Sequence, residues 1–243
     1  MQNAFYRSFL DENEKIVAFI GGGGKSTLMR RLAKDCQRFG KKVVILSQFP
    51  FFTPVEAKTI ISDDPTLLCR QVNAELSESS ALYIGKSIKE STITNFNLTE
   101  IKKVIKTVQA DHIFIEADRA DGCSLSGYTN VSVSLLQETD RYINIIGADA
   151  FNQIKNKNWL SSEDHFWRKK TVLSPLDIGA WFSSSSLFEK INDLQVPGTV
   201  FINKVENIYI ENTAIPLAKN FKINGIERVI TGSVFNSNLH LIR

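Results

Sequence analysis

The sequence predicts an α/β protein with a mostly parallel sheet and helices on both faces, and two observations carry that prediction. Short apolar runs alternate along the chain with amphipathic stretches of helical length, the pattern of parallel strands joined by helical crossovers. At the first alternation stand four consecutive glycines, Gly21, Gly22, Gly23 and Gly24, followed by Lys25, Ser26 and Thr27. Strand, glycine loop, Lys-Ser and helix in that order form the layout of a phosphate-binding loop, so the expected fold is P-loop NTPase-like. The composition, 43% hydrophobic and 23% charged over 243 residues, is that of an ordinary folded α/β chain. A single domain over 1–243 is expected, with an insertion or lid at 150–172.

The elements follow in order. Ile16–Ile20 is the first strand, and its helix runs from about Ser26 to Phe39, where Gly40 supplies a C-terminal stop. The second strand is Lys42 to Ser47. Gln48 to Pro54 reads as a loop, because two prolines disfavour regular structure, while Phe49, Phe51 and Phe52 give it an apolar surface. Pro65 to Glu75 reads as a helix and Ala81–Lys86 as a short strand. Asn97 or Thr99 caps a helix that places Ile101, Val104, Ile105 and Val108 on one face. His112 to Ile115 is a strand ending in Glu116-Ala117-Asp118, and Tyr142–Ile146 is another. Ser174-Pro175 starts a capped helix. The serines at 183–186 read as a solvated break between two short helices. Thr199 to Ile202 and Arg228 to Ile230 are the last strands expected.

The glycine loop carries the first chemistry. Glycines let backbone N–H groups turn around an anion, and a helix N-terminus adds partial positive charge. Lys25 would reach the β- and γ-phosphates, and the Ser26 hydroxyl would ligate Mg²⁺. The usual G-x-x-x-x-G-K-[ST] spacing asks for glycine at 19, where the chain has Phe19, so the loop reads as the compact G-G-x-G-K-[ST] form. A glycine-rich turn without a ligand is the plain alternative; the backbone entropy cost of four glycines favours phosphate binding.

Further pairs sit at later strand ends. Glu116 and Asp118, two residues apart, would share one side of a continuing strand and face the loop, Asp118 toward Mg²⁺ and Glu116 toward a water. Carboxylates also end strands for ordinary capping reasons. Asn203-Lys204-Val205-Glu206 approximates the N-K-x-D pattern that reads guanine, with a solvated turn as the alternative. The cluster from Glu163 to Lys170 includes His165, Trp167 and Arg168; it reads as a solvated loop, with base stacking or an arginine finger as the sharper alternative. His112 and His240 are expected to be structural.

The rest of the sequence excludes more than it assigns. A net charge of +3 is too small to call for a nucleic acid. No apolar run has the length of a membrane span, and the first residues lack a signal-peptide core. Cys36, Cys69 and Cys123 lack a C-x-x-C pairing, which points to reduced thiols and a cytoplasmic location.

Taken in order, these motifs resemble the selenium-dependent hydroxylase accessory proteins of the YqeC type. Gly21-Gly22-Gly23-Gly24-Lys25-Ser26 matches that family's short glycine loop, and Glu116-Ala117-Asp118 matches its E-A-D strand end. Ile145-Ile146-Gly147-Ala148-Asp149 matches its strand leading into G-x-D, and Ile202-Asn203-Lys204-Val205-Glu206 approximates its L-N-K-V-D. The similarity spans about 14 to 233. Arg119 stands where the family has glycine, Ser124 and Ser126 where it has proline and lysine, and Ser47-Gln48-Phe49-Pro50 where it has a threonine-rich strand end. The glycine loop and the Glu116-Ala117-Asp118 strand end point to ATP or GTP with Mg²⁺ as cofactors, and the resemblance implies a molybdenum hydroxylase or its cofactor as partner. Three functions are therefore expected in order: an NTP-binding accessory factor with slow or partner-stimulated hydrolysis; a small-molecule kinase with its acceptor near Glu116 and Arg168; and a scaffold whose loop holds a phosphate-bearing pterin cofactor.

Overall fold

The computed structural model describes residues 4–52, 57–78, 81–90, 92–126, 133–152, 172–236 and 239–242. With strands numbered in chain order, the centre of the main sheet is β1 (Ile16–Gly21), between β8 (His112–Glu116) and β9 (Arg141–Gly147). Beyond β8 lie β2 (Val43–Ser47), β5 (Ala81–Gly85) and β4 (Thr59–Ile61). Beyond β9 lie β10 (Gly198–Asn203), β11 (Arg228–Gly232) and β12 (Leu239–Ile242). Every neighbouring pair is parallel except β11 with β12. The chain leaves β1 toward β2, returns to lay β8 against β1, and then crosses to β9 on β1's other side. Such a reversal opens a crevice at the carboxyl ends of the strands, where open α/β sheets hold their ligands.

Alternation along the strands feeds two cores. Val17 and Phe19 of β1 face Leu28, Leu32 and Cys36 of α1 (Lys25–Arg38), together with Tyr6 and Phe9 from a short 3₁₀ segment, Phe5–Ser8. Ala18 and Ile20 face the opposite side. That side is covered by α2 (Pro65–Glu75), α3 (Leu98–Thr107), α4 (Val133–Leu136), α5 (Pro175–Ser184), α6 (Ser186–Leu194) and α7 (Ile208–Ile223). The expected α/β architecture with helices on both faces is therefore present. None of the described helices is long and apolar enough to cross a membrane.

Local signals place the helix ends. Gly40 (φ 74°) closes α1, with Gly40 N donating to Gln37 O and Lys41 N to Cys36 O. Asp64 and Ser174 cap α2 and α5, each ahead of a proline. At α3, Asn97 and Glu100 form a reciprocal capping box, which selects Asn97 over Thr99. Ser185 separates α5 from α6 and accepts from Phe188 N through its hydroxyl.

Four features depart from the sequence expectations. Phe51–Phe52 is not loop but β3, paired antiparallel with β7 (Thr92–Ile93), which pairs with β6 (Ile88–Lys89). Pro50 stands just outside it, so no ladder N–H is missing. The three-residue strand β4 was too short to signal itself. The helix α7 contains Pro216, which argues against a helix in sequence. Pro216 sits on the exposed face, while Ala214, Leu217, Ala218 and Phe221 are buried. Finally, Ile230 is not in the last strand, since β12 adds an antiparallel edge after it.

At the amino ends of the strands, opposite the crevice, Arg141 is buried and ties several elements together. Its Nε donates to both oxygens of Glu14 (2.7 and 2.8 Å), Nη1 to Thr199 Oγ1 (3.1 Å) and Nη2 to Glu227 Oε1 (3.0 Å). His112 is also structural, with Nδ1 2.8 Å from Glu14 O. None of the three cysteines, all buried, is in a disulfide.

Candidate functional site

The glycine loop continues β1 into the crevice and is wedged between the end of β9 and the segment 123–125. Gly22 N donates to Ile145 O (2.9 Å) and Gly23 N to Cys123 O (2.8 Å). Two glycines are required by this path. Gly21 (φ 93°) passes so close to Ile145 that a Cβ would collide with that residue's carbonyl oxygen. Gly23 (φ 73°) passes Gly147 equally closely. Both obstacles are backbone, so no rotamer change relieves them. The amides of Gly21, Gly22 and Gly23 are thus engaged by the protein itself. The donors facing outward begin at Gly24, which caps α1 without a side-chain partner, and continue through Lys25, Ser26 and Thr27, whose first-turn N–H groups have no intrahelical acceptor.

Lys25 is 5% exposed and lies along the loop floor. Its ammonium donates to Gly21 O (2.5 Å) and stands 2.8 Å from Asp118 Oδ1 and 3.8 Å from Glu116 Oε1. Asp118, 1% exposed, accepts from Gly21 N through Oδ2 (2.8 Å). Its Oδ1 meets the Lys25 charge without an aligned hydrogen bond. The strand ends at Glu116, yet both acidic residues lie on the side of the glycine loop, where they meet Lys25. Burial pushes the Glu116 carboxyl above the usual carboxylate range, and the neighbouring Asp118 adds to this against the pull of Lys25.

A third group comes from the end of β10. The Asn203 amide donates to Gly23 O (2.8 Å) and its oxygen accepts from Val234 N (3.1 Å), so Asn203 ties the glycine loop to the segment after β11. A Cβ at Gly24 would come within 2.9 Å of the same amide. Lys204 takes a left-handed backbone (φ 64°), a strained conformation for a long side chain. Its ammonium donates to Asp149 Oδ2 (2.7 Å) and Ser124 Oγ (3.1 Å). Glu206 is exposed and stands outside the walls of both clefts described next.

Two adjoining clefts open here. The smaller, about 280 Å³, is walled by Gly22 to Thr27, Glu116, Ala120 to Cys123 and Lys204. The larger, about 690 Å³, runs from Ser26 and Arg30 past Phe49 to Phe52 and along Glu116 to Gly122. Ser26, exposed, Glu116 and Ala120 to Gly122 belong to both. Hard oxygen donors for a divalent cation are therefore at hand in Ser26, Glu116 and Asp118. Among the described residues no cluster of three or more His, Cys, Asp or Glu forms a ready-made metal cage.

The structure thus brings together Gly21 to Thr27, Glu116, Asp118, Asn203 and Lys204, and leaves Glu206 apart. The cluster from Glu163 to Lys170, with Arg168, and all of the expected lid but Ala150 to Asn152 and Val172 lie outside the described residues. Sequence reasoning missed Arg30 and the segment 120–125. Arg30 was findable, because it stands one helical turn after Ser26 and so shares its face. The 120–125 segment carries no periodic signal.

The family model described as "YqeC: YqeC protein" matches residues 17–162 of the chain. Among solved structures, one similar chain is the Signal Recognition Particle 54 kDa protein from Aeropyrum pernix K1, crystallised in complex with GDP. The similarity has a TM-score of 0.44 at 13% identity and covers 98% of this chain and 46% of that one, so this chain spans under half its length. No curated protein matches.

Proposed function

The chain belongs to the YqeC protein family, and on that premise we propose that it binds ATP or GTP with Mg²⁺ in the smaller cleft. The observation that carries this reading is a buried cation, Lys25, in the floor of a loop whose outward amides run from Gly24 to Thr27. In this reading those amides and Lys25 hold the phosphates, while Gly21 to Gly23 shape the loop that presents them. Asn203 and Lys204 border the nucleotide by fixing the loop and the far wall. Glu206 would reach a base only after moving.

Ser26 with Asp118 or Glu116 would hold Mg²⁺. The fit is supported by the Ser26 hydroxyl and the Glu116 carboxylate, which stand in the wall of both clefts; Asp118, in the wall of the larger one, would exchange its contact with Lys25 for the ion. When bound, the ion supplies charge neutralisation at the phosphate oxygens. Glu116 is placed to orient a water. Neither glutamine nor arginine lines the smaller cleft among the described residues, and the second lysine there, Lys204, is paired with Asp149, so an arginine finger and a water-positioning glutamine are both left for a partner to supply. A slow, partner-stimulated hydrolysis follows. The resemblance to hydroxylase accessory proteins supports a selenium-dependent molybdenum hydroxylase, or its cofactor, as that partner.

Phosphate release from ATP and GTP by the isolated protein tests the rate. A turnover on the order of 10⁻³ per second or slower is expected. Turnover near one per second without a partner would overturn the slow-hydrolysis reading.

A further inference from the structure

The larger cleft has a composition that phosphate binding does not use. At about 690 Å³ it is more than twice the volume of the smaller one and within the range of small-molecule sites. Along one side lie Phe49, Pro50, Phe51 and Phe52. Phe51 leans on Tyr83 with ring centroids 6.2 Å apart, and Phe52 is 79% exposed. The pairing of β3 with β7 fixes the backbone that carries these two rings. On the helix side stands Arg30, whose Nε donates to Ser26 O (3.1 Å) and whose guanidinium faces no carboxylate partner among the described residues. The other arginine, Arg119, is already paired with Asp121. At the junction with the smaller cleft stands the Glu116 carboxylate.

We propose that the larger cleft is a second ligand site for a planar aromatic molecule that carries a negative group for Arg30 and a hydrogen-bond donor for Glu116. The ring lies against Phe51 and Phe52, where aromatic faces and the Arg30 cation act together. The ligand then sits beside the phosphate loop without entering it, and Glu116 touches both occupants. Arg30, Phe51 and Phe52 line the larger cleft and not the smaller, and Glu116 is shared, so the assignment does not require a nucleotide in the smaller one.

The test uses 6-hydroxynaphthalene-2-sulfonate, a fluorescent planar ring with one anionic and one donor group, followed by fluorescence anisotropy on the full chain. Saturable binding at one site per chain is expected. Arg30→Gln and Phe52→Ser, both at exposed side chains, should each weaken it by about fivefold, as should 2-naphthol, which lacks the sulfonate. The titration is repeated with saturating ATP and GTP in Mg²⁺, and the probe should remain bound. Absence of saturation, indifference to both substitutions, or displacement of the probe by nucleotide would each overturn the second site. If the probe behaves as expected while neither nucleotide binds, the nucleotide reading fails and the second site stands.

Discussion

Lys25→Ala is expected to weaken nucleotide binding by about a hundredfold, because it removes the charge-assisted contact to the phosphates. It should also lower stability by about 3–5 kcal/mol, since Asp118 would be left buried without its cation. The two side chains are 4% and 1% exposed, so solvent screening offers little relief. These effects can be separated. The double variant Lys25→Met with Asp118→Asn replaces a buried pair by neutral groups of similar volume, a change that is often nearly neutral for stability. It should recover most of the folding free energy in urea titrations and none of the nucleotide affinity. If Lys25→Ala binds as tightly as the wild type, the site assignment is wrong.

Arg141→Ala is the second large effect, of a different kind. Arg141 is 2% exposed in its side chain and holds Glu14, Glu227 and Thr199 at the amino ends of the strands. Its loss strands Glu14 inside the fold, at an expected cost of about 3–5 kcal/mol in urea unfolding. Nucleotide affinity of the folded fraction should stay within about twofold of wild type. The two variants together separate the ends of the sheet: the carboxyl ends carry binding and the amino ends carry stability. A loss of affinity in Arg141→Ala comparable to that of Lys25→Ala would contradict this division.

The loop, its strand and its helix were legible because each carries a strong local rule: a five-residue apolar strand, glycines ahead of a lysine, and a glycine stop at residue 40. Asn97, Asp64 and Ser174 acted through capping chemistry that is entirely local. What escaped reading depends on partners distant in sequence. Phe51–Phe52 is a strand only because Thr92–Ile93 lies beside it, and β12 exists only as the edge of β11.

In the site, Lys25, Glu116 and Asp118 were read from spacing, and their mutual contacts follow. The engagement of the Gly21 to Gly23 amides by Asp118, Ile145 and Cys123 was not legible, because it needs the end of β9 and the 123–125 turn in place. Asn203 was read as a base contact. Its amide nitrogen donates to Gly23 O and its oxygen accepts from Val234 N, a tie that no four-residue motif encodes. Ser124, which stands where the resembling family has proline, receives a hydrogen bond from Lys204 and so shapes the far wall of the cleft.

The most direct test of nucleotide binding at the glycine loop is thermal unfolding with ATP, GTP, CTP and their diphosphates, each with and without Mg²⁺. A ligand at about a hundred times its dissociation constant adds about 2.7 kcal/mol, roughly 5–10 °C for a chain of this length. A Mg²⁺-dependent shift of that size is expected with ATP or GTP, and its loss in the Lys25→Met, Asp118→Asn double variant. No shift with any nucleotide, or a shift that survives in that variant, would contradict nucleotide binding at the glycine loop.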